Sequence, residues 1–463
     1  MSLHPLSTLD ADHIDAISAD EPAWLRSYRL ESLKVYDTLP LETSPLYNKY
    51  TDAARMDPDR VKVSPSTDGA VPGLISDRLR ELDGGAYVLQ VGTHLSAVSI
   101  PDSMRSAGVK ITSVSRAVSE HPDLVRAALE SSRSGEDRFT ALNNAAFNTG
   151  VFVHVPRGVA LDEPIHIVTA LSGDGVSVIS RNIISAGDGS RATVVQELYG
   201  GSAGQAYLEL LNASVGGGAH LDVTTLQMLD ENSYNFSTRR TDMAADSGTN
   251  WYLGLFGSQL SRYRIGYHLN GSGASANDSE VVFGSGSQSF DLHSELVHNS
   301  PATEGRITEK SILRGRSRSL FKGMIRINEN AAKSNSYLSG RSILLGREAK
   351  SDAIPGLEIL TNDVKATHSA SVAQMDEEQI FYLMSRCLSR AGAERTIVEG
   401  FLEPLSRRMS TQIRAWIAHL IESKWEGRAL SINTDQELRK FVEVEETRYN
   451  ENAEIEQHYK YRR

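Results

Sequence analysis

The sequence has a single cysteine, Cys387, in 463 residues. One thiol excludes an internal disulfide framework, and it excludes a zinc ion or iron–sulfur cluster held by this chain's thiolates alone. Such sparing use of cysteine suits a reducing cytoplasm. No apolar run reaches the roughly 18–20 residues that a membrane-spanning helix needs. The N-terminus, "MSLHPLSTLDADHIDAISADEP", has neither a basic start nor an apolar core, so no signal peptide is expected. No G-x-x-x-x-G-K-[ST] loop is present to cradle nucleotide phosphates, and no H-E-x-x-H to hold zinc. Clustered basic charge is also scarce. The net charge is −11, with acidic residues spread along the chain, which argues against binding a nucleic-acid backbone. The short stretch "LRGRSRSLFKG" is the local exception and reads as a solvated strand-and-turn face.

What is present falls into three textures. Residues 1 to about 85 are helical in character. "EPAWLRSYRLESLKVYDTLP" places Trp24, Leu25, Tyr28, Leu30 and Leu33 mostly at helical spacing, Pro40 ends the run, and "SDRLRELDGG" reads as a short helix stopped by glycine. A looser strand-and-helix passage follows to about residue 140. From about 147 to 370, short Val/Ile/Thr/Tyr runs alternate with Gly, Ser, Asn and Asp, as in "GVFVHVP", "ATVVQELYGG" and "RYRIGYHLNGSG". This predicts an all-β domain of many short strands, and the periodicity leaves sandwich, barrel and stacked solenoid open. Helical spacing returns after Asp376, an N-cap with Gln379 three residues on. Ile380, Leu383, Met384 and Cys387 form one apolar stripe, on which the cysteine acts as a small hydrophobe. A second helix is expected over 391–403, stopping before Pro404. A third starts at Ser410 and carries Ile413, Trp416, Ile417, Leu420 and Ile421 on one face.

The remaining motifs favour bland readings. "GGSAG", Gly200–Gly204, matches a serine nucleophile elbow but lacks the helix that must follow, so it is read as a turn. "NGSGASA", Asn270–Ala276, likewise lacks a helix N-terminus to receive a pyrophosphate. His293 and Glu295 share one strand face while His298 points to the other, and His154 and His166 lie on separate strands, so no metal set forms. His368 stands where the β texture gives way to helices, among small residues that permit close approach of another surface.

Several ordered stretches carry a resemblance: "FNTGVFVHVPRGVALDEPIHI", "GSQSFDLHSELVHNSPATEG", "SILRGRSRSLFKGMIRINENAAKSNSYLSGRSILLG", "PGLEILTNDVKATHSASVAQMDEEQIFYLMSRCLS" and "IVEGFLEPL". Over about residues 145–425 the chain resembles the SufB/SufD family of iron–sulfur cluster assembly proteins. The resemblance implies a mainly β fold, a right-handed parallel β-helix (β-solenoid) core with N-terminal and C-terminal α-helical regions. On that pattern 1–85 is the N-terminal helical region and 86–375 the β-helix core. Residues 376–426 form a C-terminal helical subdomain that docks the ATPase SufC, and 427–463 a charged tail.

SufB types carry a cysteine in a "QCDSLLIG"-like segment; here "SGRSILLG" places Gly340 there. They also carry a glutamate in "HEAT", where this chain reads "HSAS" with Ser369. "NDVKATHSASVAQMDEEQIFYL" is closer to the SufD type, although the SufD cysteine is Ala366; the histidine is kept as His368. The resemblance therefore implies a non-catalytic, cytoplasmic scaffold subunit working with a SufB-type subunit and the SufC-type ABC ATPase. His368, Ala366 and Gly340 would lie at the partner interface, close to a nascent iron–sulfur cluster. His368 is a possible metal ligand there, and no cofactor is held by this chain alone. Phe381, Tyr382, Glu399 and Phe401 would dock SufC. Two rivals are a paralogue working as a homodimer with SufC, and a β-solenoid carbohydrate-active enzyme, which needs clustered acids and bases on the solenoid flank.

Overall fold

The computed structural model of the chain describes residues 4–5, 9–40, 62–63, 71, 73–132, 137–172, 176–200 and 205–432. They fall into two compact units, Met1–Val71 with Gly84–Gln374, and Pro72–Asp83 with Met375–Arg463.

The first unit is a parallel solenoid of about seven turns. Each coil contributes one strand to each of two sheets, so sequence-adjacent strands alternate between sheets. In the first sheet Tyr234–Met243 is followed by Leu260–Leu269, Ser289–His298, Arg318–Ile327 and Lys350–Ile359. In the second, Gly248–Leu255 is followed by Ser275–Gly284, Glu304–Leu313, Asn335–Leu344 and Lys365–Gln374. Ser275 pairs with Glu304, Glu304 with Asn335 and Asn335 with Lys365, a repeat of about thirty residues, within the range of solenoid repeats. The expectation of a β-solenoid is met, and the choice among all-β architectures falls to it. "NGSGASA" is the turn between Leu260–Leu269 and Ser275–Gly284, and "GGSAG" lies almost wholly outside the described residues.

Alternation along each strand decides what faces inward. Val223, Trp251, Ile307 and Leu338 of the second sheet meet Tyr263, Ile265, Leu292 and Phe321 of the first in one buried core. At the N-terminal coils the outer face of the first sheet is covered by helices. Ile179, Ile183, Leu208 and Phe236 pack against residues of Ala23–Thr38, Pro122–Ser131 and Arg138–Ala146. Buried Arg29 fixes this layer, reaching Glu21 at 2.7 Å and the carbonyls of Ala145 and Phe147 at 3.2 and 3.0 Å.

The second unit gathers Glu377–Met384, Arg390–Ser406, Thr411–Glu426 and, from far earlier in the chain, Gly73–Glu81. Ser410 caps the third C-terminal helix, and Ile413, Trp416, Ile417, Leu420 and Ile421 are buried as expected. Two expectations fail. Pro404 lies inside the helix Arg390–Ser406; so near the C-terminus its missing N–H removes a single bond, and the last turn survives. Cys387 is not on a helical stripe. The helix stops at Met384, and Cys387 takes φ 70° in a left-handed closure in which its N–H donates to the Met384 carbonyl at 3.1 Å. Its thiol is therefore exposed. Of the proposed stripe only Ile380 is buried, since the helix packs one side against Arg390–Ser406. No helix among the described residues is long and apolar enough to cross a membrane.

Candidate assembly site at the end of the solenoid

Among the described residues both sheets end on an unpaired strand. Lys350–Ile359 pairs only with Arg318–Ile327, and Lys365–Gln374 only with Asn335–Leu344. Their outer rows of N–H and C=O groups are free to bond another chain. In the last coil Pro355 offers no N–H to a further strand. The inward row of Lys365–Gln374 carries Ala366, His368, Ala370 and Val372, and Ile359 ends the inward row of Lys350–Ile359. With no strand laid over them, Val372 and Ile359 are 43% and 41% exposed, an apolar rim at the open end.

His368 belongs to an inward row. Asp278 aligns with Ile307, Ile307 with Leu338 and Leu338 with His368. Leu338 is fully buried, whereas His368 is exposed as the final rung. Ala366, two residues away on the same face, is half-buried against the core. Gly340 lies one coil inward, beneath Ala370, and is buried. A Cβ at Gly340 would stand 2.5 Å from Cδ1 of Phe321, so the aromatic ring fills the space a side chain would need. The structure thus places His368 and Ala366 at the open mouth and Gly340 behind them.

Ser369 faces the other way. Its hydroxyl is 3.3 Å from that of Tyr337 and donates to Ser339 at 3.1 Å. These bonds to Ser369 and Ser339 lower the Tyr337 phenol below its usual range, with Arg341 and Arg306 adding to the effect.

Deeper in, the interior holds charged groups that sequence reading missed. Glu209 and Arg239, both fully buried, pair at 2.9 Å. Burial opposes ionisation of Glu209, but Arg239 and the hydroxyl of Ser237 outweigh it and hold the carboxyl below its ordinary value. Three further interior acids, in two adjacent coils nearer the open end, form no ion pair among the described residues, although Arg239 acts weakly on Asp278. Burial and neighbouring Glu280 push Asp278 well up, and burial raises Glu280, which accepts a bond from Ser294. Burial pushes Glu309 up to about 8, although it accepts from Ser311. The available signal was alternation: in "GRITEKSIL" Glu309 shares parity with Ile307, which a residue-by-residue search for acid clusters does not register. His298 is also inward, bonded to Thr303 at 2.7 Å and Ser336 at 3.1 Å, while His293 points outward. No group of three or more His, Cys, Asp or Glu able to hold a metal ion occurs among the described residues.

In the helical unit Phe381 and Tyr382 are 73% and 57% exposed, with Met384 and Leu388 exposed beside them in sequence. Tyr382 lines an open groove of about 400 Å³ with Asp376, Glu378, Gln379, Leu383 and Ile397. Glu399 is exposed and paired with Arg395 at 3.1 Å. Phe401 is half-buried, and two residues along a helix it does not share the face of Glu399.

Two family descriptions match this chain. Residues 168–401 match the core domain of SufBD proteins of the SUF iron–sulfur cluster assembly system, and residues 81–167 match the SufBD N-terminal region. The chain belongs to the SufBD family. Relatives named iron–sulfur cluster assembly SufBD family proteins, from Staphylococcus epidermidis, Staphylococcus saprophyticus and Staphylococcus aureus, are each 26% identical over 428 residues, covering 88% of this chain and 90% of the relative. In this SufBD protein the core match runs through every coil that builds the open end and on into the first two C-terminal helices. The solenoid is therefore the framework of an iron–sulfur cluster assembly protein.

Proposed function

We propose that this SufBD protein is the SufD-type half of a two-subunit scaffold, joined to a SufB-type subunit through the open end of its solenoid and served by a SufC-type ATPase on its C-terminal helices. The observation that carries the reading is His368, a residue in a core row with no strand laid over it. A partner strand along Lys365–Gln374 would satisfy the free backbone groups and enclose His368 in the joint. There the imidazole offers one neutral nitrogen to a nascent iron–sulfur cluster, which is cargo, while the partner brings thiolates that a chain with one cysteine cannot. Phe321 packed against Gly340 supports the SufD side of the pair, because the matching SufB segment needs room for a cysteine. The exposed Phe381 and Tyr382 support docking of the ATPase, with Glu399 as a polar margin and Phe401 bracing the helix from its half-buried side. The setting is a reducing cytoplasm.

Co-purification with SufB-type and SufC-type subunits tests this. His368→Ala is expected to leave the fold and complex intact and to lower iron and sulfide recovered per complex. Wild-type recovery from that variant removes His368 from the site. If this chain with SufC alone assembles clusters as well as the three-component mixture, the homodimer reading takes its place.

A further inference from the structure

The basic stretch flagged in the sequence forms a corner that cluster assembly at the mouth does not use. Turns of successive coils stack there. The Leu345 N–H donates to the Leu313 carbonyl at 2.8 Å and the Lys350 N–H to the Ser317 carbonyl at 3.1 Å. Arg316 and Arg347, following Gly315 and Gly346, therefore sit at equivalent points of neighbouring turns, about one strand spacing of ~5 Å apart. Arg318 opens the next strand in register with Lys350. Lys350 is neutralised by Asp352 at 2.9 Å, and Arg314 is engaged elsewhere. Arg316, Arg318 and Arg347 are exposed and form no ion pair among the described residues.

Some surface arginines find carboxylates: Arg26 with Asp15 at 2.9 Å, Arg326 with Glu358 at 2.9 Å, Arg390 with Glu377 at 2.6 Å and Arg407 with Glu403 at 2.7 Å. Arg157, Arg191 and Arg341 are exposed without an ion pair among the described residues. What sets the corner apart is that its unpaired arginines are stacked on neighbouring turns. Exposed Glu348 follows Arg347 in the same turn but forms no ion pair with these arginines. Gathering three unpaired guanidiniums here therefore still costs stability through like-charge repulsion, and the coil geometry does not require it. We infer that this corner is a docking site for an acidic segment of a partner protein, whose carboxylates take the fork-shaped hydrogen bonds that the guanidiniums hold ready. A short acidic segment feels the corner within the ~8–10 Å reach of unscreened charge, whereas a long nucleic-acid strand also meets the field of a chain carrying −11.

The test uses the full chain, a fluorescein-labelled oligoglutamate peptide and an oligodeoxythymidylate of equal charge, read by anisotropy at low and physiological salt. Wild type is expected to bind the peptide, weakening with salt, and Arg316→Glu/Arg318→Glu/Arg347→Glu to lose at least about tenfold in affinity with an unchanged urea midpoint. Arg26→Glu/Arg390→Glu/Arg407→Glu, at three paired arginines, makes the same change in net charge and serves as the control. The inference is overturned by equal binding in the corner variant, by an equal loss in the control variant, by no peptide binding at low salt, or by tighter binding of the oligodeoxythymidylate.

Discussion

Replacing Glu309 with glutamine tests whether the solenoid interior holds a neutral acid. Glu309 is 1% exposed, and burial lifts its carboxyl from 4.5 to about 8. Below pH 4.5 the group is protonated in folded and unfolded chains alike and costs nothing. Between 4.5 and 8 the unfolded chain ionises while the folded one keeps its proton, so stability falls with rising pH by about 1.4 kcal/mol per unit. The loss reaches roughly 3 kcal/mol at pH 7 and levels off above 8, at about 4–5 kcal/mol. Glutamine copies the shape of the protonated acid and cannot ionise. Urea unfolding of the full chain from pH 5 to 8 is followed by tryptophan fluorescence. Trp24, Trp416 and Trp425 are replaced by phenylalanine in both proteins so that buried Trp251 reports alone. The variant should lose about 3–4 kcal/mol less than wild type over that span. Asp278 and Glu280 contribute to both curves, so the difference reports Glu309 together with its coupling to the aligned Glu280. Parallel curves for the two proteins would refute the assignment of a neutral acid.

Gly340→Ala should cost about 1–3 kcal/mol in urea unfolding, because the new Cβ falls 2.5 Å from Phe321; an unchanged midpoint would mean that the ring has room to move. Glu209→Gln leaves Arg239 charged and buried without its counter-ion, for which a loss of about 3–5 kcal/mol is expected. A loss below about 1 kcal/mol would show that the surrounding hydroxyls and amides suffice. Phe381→Ala with Tyr382→Ala should shift stability by no more than about 0.5 kcal/mol, since both side chains are exposed, yet abolish co-purification with a SufC-type ATPase. Retained ATPase would place docking elsewhere.

The all-β character of the core was legible in the sequence because each segment repeats the same alternation and the same Gly/Ser/Asn-rich turns, which suit a solenoid as well as a sandwich or barrel. Cap chemistry gave the helix starts at Asp376 and Ser410, since a capping side chain and the N–H it accepts from are local neighbours. The apolar face of Thr411–Glu426 followed from its spacing, and the family resemblance supplied the choice of β-helix. Local pattern could not place Cys387, because a left-handed closure ended its helix early, nor reveal that Gly73–Glu81 packs with helices some three hundred residues later.

The candidate site was divided in the same way. His368 could be named from the sequence, but its position as the uncovered rung above Leu338 depends on the register between coils, which no single strand encodes. The interior acids left only a partial signal for the same reason: alternation puts Glu309 on the face of Ile307, and only the closed coil states which face is inside. The chain by itself determined that one thiol and no phosphate loop are present, so a set of thiolate ligands is not its own to give. The tertiary structure decided what its end exposes, because His368, Val372 and Ile359 become an uncovered rim only when parallel strands stack in register and no further strand follows.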